Sequence, residues 1–449
     1  MKYVFRITSF IITLILCFLL LIITFIDDTL LEESPYFKTA EIIIDSLDAT
    51  FQINNAKYFK AGWAKTNITP SYKLPLAGYG ARNGAYVSEV HDSVWVRGFV
   101  FDDGFNKYAI ITLDALIVPP AVTKKLQYLL PEMGYDLSRI YMSATHTHCS
   151  VGGWANSWIG HQFAGEFNEQ IVNDLANSII ITIKKAEKEL SHAKIGFGSY
   201  NAEKLVRNRL VGNKGTTDPW FRIIKIQKKD GSIGLITSFA AHATVFSHRQ
   251  MKYSRDYPGA LVDSLEKIDN IKIAAFCAGA VGSHSPNING SDNYERISNL
   301  SSELFTLANE NINSIQIKSI NSMGSLLFDI PLREAHLRIS TKLRIRPWVF
   351  NKITEQSNAY LSLLKIGDII LVGTPCDFSG ELINDIESKA NRFNHNIMVT
   401  SFNGGYIGYI TNDKWYDLKE YETFTMNWFG PYNGSYFVYL INNLMEIFI

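Results

Sequence analysis

"IYMSATHTHCSVGG", residues 140–153, joins two kinds of sequence. Ile140–Ala144 is a short apolar run of the kind that forms a strand. Directly after it come His146, His148, Cys149 and the pair Gly152 and Gly153. Ligands of α/β folds gather at the carboxyl ends of strands, where loops vary on a rigid base. The same juxtaposition recurs along the chain. Ile233–Ala240 runs into "AHATVFSH", Ile273–Ala278 into "GAVGSHSPN", Ile369–Gly373 into "TPCDFSGE" and Ile397–Phe402 into "NGGYIGYIT". Five such ends predict one shared crevice.

Further strand-like runs lie at Val94–Phe101 and Tyr108–Leu113, and helical periodicity at Ala121–Leu130, Asn168–Leu190, Gly259–Ile268 and Ser298–Asn313. No repeat with a period of 20 to 50 residues is visible, and no low-complexity linker divides the chain. These features predict an α/β fold: a single large domain over 61–449, with a mixed β-sheet core flanked by helices.

The first 28 residues differ from the rest. Lys2 and Arg6 precede an uncharged run from Ile7 to Ile26, and Asp27 and Asp28 follow it. A helix of about 20 apolar residues spans about 30 Å of hydrocarbon. Signal-peptide apolar cores are shorter, and no small-x-small cleavage site follows. Residues 1–28 are therefore expected to be a single transmembrane anchor, with an uncleaved signal as the alternative. The flanking charges place the N-terminus in the cytoplasm and the remaining chain on the extracytoplasmic side. Residues 29–60 read as a stem containing a helix, with Ser34 and Pro35 at its start and Phe37, Ala40, Ile43, Ile44 and Leu47 on its apolar face.

Hydrophobic residues make up 47% of the 449 and charged residues 19%, which suits a large packed core. Basic and acidic residues balance at 43 each, so no basic excess points to nucleic acid. Cys17 lies in the anchor, leaving Cys149, Cys277 and Cys376, an odd number that implies no disulfide framework.

His146 and His148, two residues apart, face the same side if the strand continues through them. One imidazole can then bind a metal while the other moves a proton; a polar strand end is the plain alternative. His242 follows an apolar run, where a histidine is either a satisfied core residue or a ligand. His248 lies in a more polar stretch with a weaker claim. Asp377 follows a buried strand, where a carboxylate must be paired, metal-bound or capping a helix. Glu381 is the nearby alternative. Ser285 in "GSHSPN" is either a nucleophile needing a base or a turn residue before Pro286. "GYGARNG" near residue 80 lacks the Gly-Lys-Ser/Thr of a phosphate loop.

Taken together, the chain resembles the neutral/alkaline ceramidase family, zinc-dependent amidases that cleave the N-acyl bond of ceramide. The resemblance covers roughly residues 61–437. It rests on "AGWAKTNITP" with "LAGYG", "VRGFVFDDG", "SATHTHCSVGG", "RNR", "AAHATV", "RDYPG", "GSHSPN", "TPCDFSGE", "GYIT" with "EYE", and "FGP", in that order. It implies zinc held by His146, His242, Asp377 and Tyr409. It implies His148 as general base, Arg209 and Tyr421 as supports of the oxyanion, and Ser285 as the serine of the family's G-D-x-S-P-N motif. The implied partners are a lipid amide substrate and the membrane, with no nucleic acid. Asp377 stands where the family has glutamate, so either its backbone sits closer to the metal or the coordination geometry loosens. Ser283 replaces an aspartate, Cys149 a serine, and the family's proline after the histidines is absent. The chain also ends soon after "FGP", without the β-sandwich that follows in well-known members. A metal-dependent hydrolase of another amide or ester, or a non-catalytic surface protein binding a lipid or glycan, are the alternatives that remain on this fold.

Overall fold

A computed structural model describes residues 2–53, 55–354 and 359–449. Its helices are α1 (Lys2–Ile22), α2 (Pro35–Thr50), α3 (Pro120–Leu129), α4 (Trp158–Ala164), α5 (Glu169–Lys188), α6 (Asp256–Leu265), α7 (Asn293–Asn311), α8 (Pro347–Ile353), α9 (Ile383–Arg392) and α10 (Asn433–Ile447). Two sheets carry the fold. The larger contains β1 (Lys60–Asn67), β2 (Trp95–Asp102), β3 (Lys107–Leu113), β4 (Ile140–Ala144), β5 (Ser191–Asn201), β6 (Trp220–Lys228), β7 (Ile233–Phe239) and β8 (Ile271–Ala278), in the order β8-β7-β6-β5-β1-β2-β3-β4. The smaller contains β9 (Met323–Asp329), β10 (Tyr360–Ile366), β11 (Ile369–Thr374) and β12 (Asn396–Ser401), in chain order.

Within these sheets the pairs β3–β4, β7–β8 and β11–β12 are parallel and the rest antiparallel. Parallel neighbours need a crossover, and α3, α6 and α9 supply one each. The same unit, three antiparallel strands, a helix and a fourth parallel strand, therefore occurs three times, over 60–144, 191–278 and 323–401. The period of this repeat exceeds the 20 to 50 residues typical of solenoid and propeller repeats.

Period-two alternation decides which way each strand faces. Phe99, Phe101, Ile110, Tyr141, Ile224 and Ile236 of the large sheet meet Leu364, Ile366, Leu371 and Met398 of the small sheet in one apolar cluster. The alternate residues Val100, Ile111 and Met142 face the helical side, where Ile179 and Ile183 of α5 pack. Leu361, Leu363, Ile370 and Val399 turn the other way, toward α2, α9 and α10. The result is four layers, helices on sheet on sheet on helices, as expected for an α/β domain with a mixed core.

The helix expected in the stem forms over Pro35–Thr50 and packs into the domain. Phe37, Ala40 and Ile44 are buried. The Phe37 ring lies 4.7 Å from that of Tyr439, and Tyr36 meets Tyr436 edge-on at 5.0 Å, both partners on α10. Helix α1 instead exposes side chains around its circumference, and Tyr3–Ile22 has a mean hydropathy of 2.5. Among the described residues it is the one helix long and apolar enough to cross a membrane.

Candidate active site

Strand β4 ends at Ala144, before the histidine pair. His146 has φ +60°, so the chain turns there and the two histidines do not lie on an extended strand. They still meet, with Nε2 of His148 3.2 Å from Nε2 of His146. The turn, rather than strand alternation, brings the rings to one side. Phe402, at the end of β12, stacks on His146 with centroids 4.1 Å apart. Behind the turn, Arg82 donates to the carbonyls of His148, Gln250 (2.7 Å) and His248 (3.0 Å). Gly78 lets the "LAGYG" backbone approach, since a Cβ there would lie 2.5 Å from the His148 carbonyl oxygen.

His242 follows β7, and Asp377 follows β11. The Nδ1 atom of His146 donates to Leu116 O at 2.6 Å, and that of His242 to Val281 O at 2.8 Å. A carbonyl only accepts, so each neutral ring carries its proton on Nδ1 and presents a bare Nε2. Both bare atoms face Asp377 Oδ1, at 3.5 Å and 3.1 Å. That oxygen has no hydrogen-bond partner among the described residues, while Oδ2 accepts from Tyr406 at 2.9 Å. The Tyr409 hydroxyl lies 3.3 Å from His242 Nε2. Asp377 and Tyr409 are register partners of a short parallel pair, which fixes their separation. Gly282 gives Asp377 its room, because a Cβ there would lie 2.5 Å from the Asp377 carbonyl oxygen.

Electronically this is an incomplete set. Arg209 Nη2 and the Tyr409 hydroxyl each lie 3.3 Å from His242 Nε2, but no donor reaches Asp377 Oδ1 among the described residues, and a buried carboxylate oxygen facing two imidazole acceptors is costly without a further cation. Burial pushes His146 down to about 3 and His148 and His242 well below the usual imidazole range; Arg209 adds to the effect at all three, while Asp377 opposes it at His146 and Glu422 at His242. Burial likewise raises the Asp377 carboxyl. A divalent cation reverses that logic for the carboxylate and needs neutral imidazoles as ligands. Two bare imidazole nitrogens, an orphaned carboxylate oxygen and a phenol are donors that suit zinc. His148 belongs to the same cluster, since the ligand atoms of His146, His148 and His242 all lie within 4.8 Å of one another.

Arg209 borders the set. Its Nη2 donates to the Tyr409 hydroxyl at 3.1 Å, and its Nε donates to Glu422 Oε1 at 2.6 Å. Tyr421 opens a π-helical turn over Tyr421–Thr425, and its ring lies 5.9 Å from that of Tyr409. Ser285 is not brought to this centre. Its hydroxyl accepts from Arg207 Nε at 3.1 Å, on a short strand paired with Val206–Asn208. Glu381 turns away to Trp415 Nε1 (3.0 Å), and His248 is exposed. Tyr406, Phe402, Arg82 and Glu422 were not singled out in the sequence, although Tyr406 and Glu422 lie inside the quoted stretches "GYIGYIT" and "EYE".

A cleft open to solvent reaches down to His146, His148 and Asp377. Its walls are largely apolar, with Leu116, Ile117, Trp154, Ile159, Phe163 and Trp428 among them.

Residues 59–303 match the model of a family described as neutral/alkaline non-lysosomal ceramidase, N-terminal. A neutral ceramidase of Pseudomonas aeruginosa is 24% identical over 252 residues, 51% of this chain and 37% of that protein. One of Mycobacterium tuberculosis is 23% identical over 243 residues, 48% of this chain and 38% of its own. These alignments thus span well under half the length of the relatives. The crystal structure of the Pseudomonas aeruginosa enzyme superposes with a TM-score of 0.74 at 19% identity, covering 87% of this chain and 75% of that one. A ceramidase complexed with C2 gives 0.76 over the same shares.

Proposed function

The chain belongs to the neutral/alkaline non-lysosomal ceramidase family, and on that premise we propose that it is a zinc-dependent amidase cleaving the N-acyl bond of ceramide or a related N-acyl lipid. One observation carries the reading: the bare Nε2 atoms of His146 and His242 meet the orphaned Oδ1 of Asp377 at the foot of an apolar cleft. His146, His242, Asp377 and Tyr409 would hold the metal. Zinc there would supply Lewis acidity and bring the pKa of a water down to about 7.

The protein's own groups do the rest. The apolar cleft walls take up acyl chain and exclude water from the reacting amide. His148, held neutral by burial and set against His146, takes up the proton of the attacking water. It then delivers that proton to the leaving amine. Arg209, steadied through Nε by Glu422, turns Nη2 toward the place where the carbonyl oxygen gains charge. Tyr421, at the cleft wall, adds a hydroxyl donor. Such donors are each worth about 3–4 kcal/mol in the transition state. Ser285 takes no step in this scheme.

The test is incubation of the zinc-loaded full chain with N-acyl sphingosines, other amides and matched esters. Release of free sphingoid base supports the reading. Turnover confined to esters or unrelated amides replaces the substrate class, and no turnover of any leaves a binding protein.

A further inference from the structure

The end of the apolar helix α1 is built into the domain beside the cleft. After α1, Ile23–Phe25 pairs antiparallel with Leu343–Ile345. The backbone N–H of Arg346 donates to the carbonyl of Ile22, the last residue of α1, at 2.8 Å. The Arg346 side chain reaches Leu20 O at 3.1 Å, and Arg344 Nε reaches Phe25 O at 3.0 Å. Arg333 pairs with Asp27 at 2.8 Å and donates to Thr29 O at 2.8 Å. The exit from α1 is a strand with its own clamp, not a free tether.

Helix α8 starts one residue after Arg346, and its C-cap Thr354 lines the cleft. Its 7 residues rise roughly 10 Å. The polar layer outside the hydrocarbon is roughly 5–8 Å deep per leaflet. The Thr354 end of α8 therefore lies at most roughly 10 Å beyond the end that meets α1, within or close to the polar layer when α1 spans a bilayer. Two exposed tryptophans flank it: Trp348 on α8 (50% exposed) and Trp158 on α4 (66%). Ile159 and Phe163, which follow Trp158 on α4, line the same cleft. Tryptophan favours the membrane–water interface. Lys342 and Lys352, on the segment that leads into and through α8, are exposed as well.

We propose that the domain rests on the bilayer its own α1 crosses, with Trp158 and Trp348 in the interface and the cleft mouth between them at headgroup level. An N-acyl lipid then enters from the membrane plane without passing through water. This assignment of a docking surface rests on the lipid-amidase reading for its purpose, yet its geometry is tested separately.

The test uses the full chain in lipid nanodiscs. W158C and W348C are each made in a C17S background and spin-labelled; the remaining cysteines are buried. F105C is the control, since Phe105 is exposed on the β2–β3 turn, at the opposite strand ends from the site. Both rim labels are expected to collide more with oxygen than with a water-soluble nickel chelate, and the control the reverse. Rim labels as nickel-accessible as the control overturn the proposal. Hydrolysis of a water-soluble N-acetyl amide is measured on the same samples. Docked labels without hydrolysis refute the amidase reading alone, and hydrolysis with undocked labels refutes the docking alone.

Discussion

His242 Nε2 stands 3.1 Å from Asp377 Oδ1, and the imidazole proton lies on the far side of the ring, on Nδ1 against Val281 O. Arg209 and Tyr409 lie against the imidazole nitrogen, but Asp377 Oδ1 is left without a donor, at a cost that a bound divalent cation removes. Zinc is therefore expected to raise the unfolding temperature, by about 2.7 kcal/mol of stability at 100 times its dissociation constant. Asp377→Ala should lose that response and, in chelator, melt no lower than the chelated wild type. Calorimetry with and without zinc reads both. An Asp377→Ala protein that zinc still stabilises equally removes Asp377 from the metal set.

His148→Ala separates proton transfer from ligation. As a base, His148 can be lost with zinc retained and the rate lowered on the order of 10²–10⁴-fold. Metal analysis alongside kinetics decides it. Loss of zinc with the activity makes His148 a ligand instead, which its place in the histidine cluster also allows.

Arg209→Lys keeps the charge and loses the planar fork that reaches Glu422 and Tyr409 together. The expected effect is a fall in kcat of about 10²-fold with KM little changed. Glu422→Gln should move kcat the same way and by less, since an acceptor for Nε remains. A change confined to KM would place the pair in ground-state binding.

The cysteines give a prediction from burial. Desolvation pushes the Cys149 and Cys277 thiols up to about 12, and Cys376 well above its usual range. At pH 8 all three stay protonated and covered. In detergent, a thiol reagent should label only Cys17 in the native protein and four cysteines after denaturation. Native labelling of any of the three would contradict their packing.

Which parts were legible in the sequence follows from how each strand is buried. β3, β4, β7, β8, β11 and β12 read as unbroken apolar runs because both faces are covered. β6, "WFRIIKIQK", did not, because it buries Arg222, Lys225 and Lys228. Their partners, Asp218 and Glu387 for Arg222 and the carbonyls of Ile312 and Glu189 for the lysines, are distant in sequence or outside the run. β10, "YLSLLKI", was hidden the same way by Lys365, which donates to Phe448 O. At the site, His146, His242 and Asp377 were readable because each follows such a strand. Glu422 was not, since its significance is a hydrogen bond to a residue 213 positions away. The geometry of the histidine pair was also beyond a strand-based reading, because a left-handed residue carries no pattern of its own.

The most direct measurement is sphingoid-base release from an N-acyl sphingosine by the 449-residue chain before chelation, after it, and after zinc is returned. The account predicts turnover, its loss with the metal, and its recovery at about one zinc per chain. Undiminished turnover by protein shown to be metal-free, or none by the zinc-loaded protein, would contradict it.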